Sequence, residues 1–135
     1  MLATLVFAAA LTTQVAASQP SDRFDLLCEG VVTSDGDPAG APVVRRIRID
    51  LEAGRWCADD CSRTEAIAEA SADALVLDRD GQAPGGPGRY ALQTVSRVTG
   101  AWRSDVSMRR PVSMWVKVAG SCRPAAFSGF PAAMF

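Results

Sequence analysis

The chain of 135 residues is 48% hydrophobic and carries 14 basic and 15 acidic side chains, a formal net charge of −1. That length allows one domain with its own core, and the balanced charge argues against a disordered tail and against a chain built mainly to hold nucleic acid. Histidine and asparagine are both absent, which excludes Ser-His and Cys-His catalytic pairs, the commonest metal ligand and N-glycosylation.

The first segment reads as an address. Residues 2–11 form a short apolar run, followed by Thr12-Thr13-Gln14 and the small residues Val15-Ala16-Ala17. This pattern predicts a secretory signal cut after Ala17, leaving residues 18–135 as a single β domain in the periplasm or outside the cell. Ten apolar residues are about half of a membrane span, so no stable membrane anchor is expected. Export changes the meaning of the four cysteines, which in an oxidising compartment predict two disulfides. Cys57 and Cys61 flank the polar turn Ala58-Asp59-Asp60 and suit a local bridge, leaving Cys28 to pair with Cys122. Chain entropy makes the short ring worth roughly 2 kcal/mol and the long one roughly 4–5 kcal/mol.

Strand alternation begins at Phe24. Phe24, Leu26, Cys28 and Val32 fall on one side of a strand over 24–33, with Asp25, Leu27, Glu29 and Val31 on the other. The turn formers of 34–42 end it, and Val43 to Leu51 alternates again, with Ile47, Ile49 and Leu51 opposite Arg46, Arg48 and Asp50. Segment 62–72 is ambiguous: Ser62 and Glu65 suit a helix cap, but Ile67 is its one large apolar side chain, so a short helix or an edge strand is expected, with strand preferred. Further strands are expected over 74–80, 89–98 and 101–108, with Thr99-Gly100 as a hairpin turn and 81–88 as a mobile loop. Pro111 opens a last strand through Val112, Met114, Val116 and Val118. From Gly120 onward the chain reads as an irregular tail, with Phe127, Phe130 and Phe135 available to cover one end of the core.

About seven or eight short strands imply an all-β antiparallel barrel or sandwich, clamped by disulfides, with at most one short helix. An open sheet of that size would hold its edges roughly 28 Å apart, so a Cys28–Cys122 bridge requires the first and last strands to come together. The succession Phe24-x-Leu26-x-Cys28-x-Gly30, Ile49-Asp50-Leu51, Trp56, Arg97-x-Thr99-Gly100 and Gly120-x-Cys122 resembles small exported proteobacterial β-proteins. The resemblance implies a fold and a compartment, and no chemistry.

Catalytic constellations fail one by one. There is no Gly-x-Ser-x-Gly, and Lys117, the sole lysine, stands four strand residues from Ser113, roughly 13 Å away. Asp59 and Asp60 are neighbours in a tight ring and are expected to splay apart. Asp78-Arg79-Asp80-Gly81 begins like a calcium loop but continues without the required oxygen ligands. Gly85-Gly86-Pro87-Gly88 lacks the lysine and helix of a phosphate cradle. Arg45, Arg46 and Arg48 read mainly as a solvated strand face. No cofactor or metal is expected. The remaining candidates are a surface for recognition built from Arg97, Trp102, Arg103 and Trp115, if both tryptophans project outward. The leading expectation is therefore a non-enzymatic binding or inhibitor module whose partner is a periplasmic protein or a small ligand. The alternative is a thiol redox or copper(I) protein using Cys57 and Cys61, aided by Met108 or Met114.

Overall fold

The computed structural model describes residues 21–81 and 88–132. The expected signal segment, most of the glycine-rich loop and Phe135 lie outside the described residues. Nine strands follow in chain order: β1 Arg23–Ser34, β2 Ala41–Asp50, β3 Arg55–Ala58, β4 Glu65–Ala66, β5 Glu69–Ala70, β6 Ala74–Asp80, β7 Arg89–Ser96, β8 Ala101–Met108 and β9 Met114–Ala126. Described residues contain no helix. The ambiguous segment 62–72 supplies β4 and β5, two strands of two residues each, which raises the strand number above that expected.

The strands form one antiparallel sheet in the order β4-β3-β2-β1-β9-β8-β7-β6-β5. Its terminal strands are joined by Ile67 and Ala68 alone, so its two ends stand no more than roughly 11 Å apart along the chain. The sheet is therefore curled into a half-barrel. Trp56 on β3 reinforces the closure by donating its indole N–H to the carbonyl of Leu77 on β6 at 3.0 Å. Each of those strands neighbours one of the short terminal strands.

The concave face holds the core, and alternation decides who belongs to it. Phe24 and Leu26 lie opposite Ile49 and Ile47, and this row continues into Trp56, Leu75, Leu77, Val95 and Trp102. Leu75 and Leu77, two residues apart on β6, are both buried by plain strand alternation. Buried Trp102 lies opposite Gly120, which in turn faces Gly30, and the missing side chains of these two glycines let the β1 and β9 backbones approach closely.

Two expectations about the C-terminal region need correction. β9 does not open at Pro111 and stop near Ala119; it runs from Met114 to Ala126 and pairs with β1 as far as Phe24↔Ala126. Among the described residues, the tail beyond it does not join the core cluster and instead crosses the opposite face of the sheet. There Ser128 donates through its backbone N–H (3.2 Å) and hydroxyl (2.7 Å) to the carboxylate of Asp25. Arg48 donates to the Gly129 carbonyl at 2.7 Å. Phe127 and Phe130 meet edge to face, with ring centroids 5.4 Å apart.

Asp25 is fully buried on this face, and its Oδ2, which accepts the Ser128 hydroxyl, also accepts Arg46, while Oδ1 accepts the Ser128 N–H. Burial alone would raise its pKa and is the largest single influence. The hydrogen bonds from the Ser128 side chain and backbone and from Arg46, with the Arg46 charge, outweigh burial and hold the carboxyl below its usual value of 3.8. A depressed folded-state pKa contributes stability that is complete above the unfolded value and disappears as pH falls through the folded one. Asp25→Ala should cost about 2–3 kcal/mol at neutral pH, because it strands two donors and a guanidinium. In urea denaturation at a series of pH values, Asp25→Asn should also lose less stability on acidification than the wild type. Equal acid sensitivity in the two proteins would contradict this account.

Candidate functional site

β8 and β9 do not end together, and this mismatch makes a cleft. β8 pairs with β9 only as far as Ala101↔Ser121, whereas β9 continues five residues farther alongside β1. The β7–β8 turn folds back at this point. Gly100, at φ +76°, accepts the Cys122 N–H at 2.7 Å through its carbonyl, and a Cβ on Gly100 would lie 2.5 Å from the Cys122 carbonyl oxygen. Glycine is the residue that fits this left-handed close approach.

The cleft between turn and strand has a volume of about 520 Å³. Its floor is apolar: Leu26, Leu75 and Val95, all buried, with Phe24 and Pro124 beside them. Its rim carries Arg97, Val98 and Arg123. Val98 is 73% exposed. Arg97 donates to the Ser71 carbonyl at 2.7 Å, and among the described residues neither rim arginine meets a carboxylate. Pro124 within the free stretch of β9 lacks an N–H, which blunts that edge against pairing with another strand. An apolar hollow of this size with a few polar groups at its margin is the usual form of a small-molecule site.

The residues singled out in the sequence are dispersed. Arg97 lines the cleft. Trp102 is 1% exposed in the core, so it belongs to no recognition surface, and its indole N–H has no partner among the described residues. Arg103 and Trp115 lie on the face opposite the core, where Arg103 pairs across from Ala119 and Trp115 from Ser107. Strand parity held this information: Trp102 and Arg103 are consecutive in one strand and must point to opposite faces. Arg123 and the cleft floor carried no local sign, because the cleft arises from unequal strand lengths.

Both expected disulfides are present, Cys28–Cys122 with α-carbons 4.0 Å apart and Cys57–Cys61 with α-carbons 5.1 Å apart. Two such bonds indicate an oxidising compartment rather than the cytoplasm. No free cysteine remains. Met108 and Met114 face each other on β8 and β9, separated from β3 by β1 and β2, so they do not approach Cys57 and Cys61. The basic cluster of β2 is structural: Arg45 pairs with Asp59, Arg46 with Asp25, and Arg48 ties down the tail. Asp60 caps the Ser62 N–H at 3.2 Å while Asp59 faces Arg45, so the adjacent acids act separately. The described residues hold no group of three or more potential metal ligands and no helix long and apolar enough to cross a membrane. No protein-family model, curated protein or solved structure matches the chain.

Proposed function

We propose that this is an exported, non-enzymatic binding module, periplasmic or secreted after removal of residues 1–17, whose cleft takes an anionic amphiphile. The ligand has an apolar body, such as an acyl chain, and a carboxylate or phosphate head. The observation that carries this reading is the pairing of an apolar floor with two rim arginines that have no carboxylate partner among the described residues. Leu26, Leu75 and Val95 offer dispersion and hydrophobic contact to the body, and the guanidiniums offer charge-assisted hydrogen bonds to the head.

Titration with a fluorescent fatty acid tests this, with the alcohol of equal chain length as the neutral control. The acid should bind at least about tenfold more tightly than the alcohol, and R97Q/R123Q should remove that preference while leaving weak binding of both. Equal affinity for acid and alcohol, or a double variant that binds the acid like the wild type, would overturn the proposal.

A further inference from the structure

Five of the 14 basic side chains, Arg103, Arg109, Arg110, Lys117 and Arg123, enter no ion pair or hydrogen bond among the described residues. All five belong to β8, β9 or the turn between them. The cations elsewhere in the chain are engaged by carboxylates or carbonyls, as Arg23, Arg55 and Arg89 illustrate. The same turn exposes apolar surface: Val112 is 67% and Met114 40% accessible. Arg109 and Arg110 are exposed beside them. Trp115 follows, half-buried, with the Lys117 ammonium 5.8 Å from its ring centroid.

Register carries this turn past the last residue of β1 that pairs with β9. β1 ends at Ser34 opposite Val116, whereas β8 and β9 stay paired as far as Met108↔Met114, with residues 109–113 beyond. The β1–β2 turn flanks the tip, with Pro38 and Arg109 lining one hollow. The acids at this end are engaged within their own elements or set back along the strands, and Asp80 is held by Arg89. Asp105 lies opposite Lys117, and Asp35 and Asp37 occupy the β1–β2 turn, where the Asp37 carboxylate accepts the Gly40 N–H at 3.1 Å.

We infer that the β8–β9 tip docks the protein reversibly onto an anionic phospholipid bilayer, independently of the cleft. Val112 and Met114 enter the headgroup–acyl boundary, Arg109 and Arg110 reach lipid phosphates, and Trp115 lies at interfacial depth with Lys117 above it. Two apolar side chains bury too little to hold the protein alone, so attachment depends on the negative surface and is sensitive to salt. The cleft lies at the opposite end of the hairpin, by the β7–β8 turn, and remains open to solvent when the tip is docked.

Vesicle co-sedimentation and tryptophan fluorescence with the full chain test this inference. Vesicles of phosphatidylglycerol and phosphatidylethanolamine should bind the protein at low salt, and vesicles of phosphatidylcholine should not. R109Q/R110Q should lower the partition coefficient about 30-fold, and Val112→Asp, at an exposed position, should lower it without altering the circular dichroism. Trp115→Phe should abolish the vesicle-induced spectral change, since Trp56 and Trp102 are buried. R97Q/R123Q should bind vesicles as the wild type does, which separates this inference from the cleft proposal. Equal binding to phosphatidylcholine, or wild-type binding by both tip variants, would overturn it. So would capture of soluble inorganic polyphosphate with equal strength and no effect of Val112→Asp, because that pattern marks a plain anion site.

Discussion

Replacing Cys28 and Cys122 together with alanine should lower stability by about 4–5 kcal/mol, the largest loss expected from any pair of side chains in the chain. The bridge joins residues 94 positions apart, so it removes most of the freedom that the unfolded chain would otherwise regain. It also lies where β1 meets β9, the pairing that brings the first and last long strands together. A small domain has roughly 5–15 kcal/mol in total, so the variant should be partly unfolded at moderate temperature. The Cys57–Cys61 bridge closes a ring of only a few residues, so replacing both should cost about 2 kcal/mol. Denaturant titration of the two double variants would check the contrast. Equal losses would mean that the β1–β9 seam is held by its hydrogen bonds and not by the bridge.

Gly120→Ala should be nearly as damaging, at about 3 kcal/mol or more. A Cβ at Gly120 would stand 2.1 Å from the Glu29 carbonyl oxygen and 2.6 Å from the Gly30 α-carbon. Both obstacles are backbone, so relief requires β1 and β9 to separate rather than a side chain to rotate. Gly54→Ala provides the comparison: that Cβ meets nothing within 4 Å, and the penalty comes from a φ of +65° alone, about 1 kcal/mol. Thermal denaturation of both variants should therefore separate close approach from backbone strain. A Gly120→Ala protein as stable as Gly54→Ala would contradict the close pairing of the seam.

These two results would explain why part of this fold is legible in the sequence and part is not. Phe24, Leu26 and Cys28, and likewise Ile47 and Ile49, alternate with polar residues, so their shared face follows from strand geometry. The cysteine spacing supports the pairing by the same kind of local reasoning. β9 was harder to read because Gly120, Ser121 and Pro124 carry turn or breaker signals. Its strand character comes from pairing with β1 and from the space that Gly30 and Gly120 leave to each other. Asp25 alternates outward and reads as a solvated acid. What buries it is Ser128, 103 residues away, a contact without a local signature. The cleft belongs to the same class. Leu26, Leu75 and Val95 are ordinary core residues by pattern, and they line a hollow because β8 stops pairing before β9 does.

The binding account rests on that hollow. Its most direct test is an amide chemical-shift titration of the isotope-labelled protein with decanoate. Shifts should concentrate at Leu75, Val95, Arg97, Val98, Gly100 and Cys122, the cleft and its turn, and should largely vanish in R97Q/R123Q. A titration that leaves these amides unmoved, or that moves Leu92, Arg103 and Asp105 on the opposite face instead, would contradict the account.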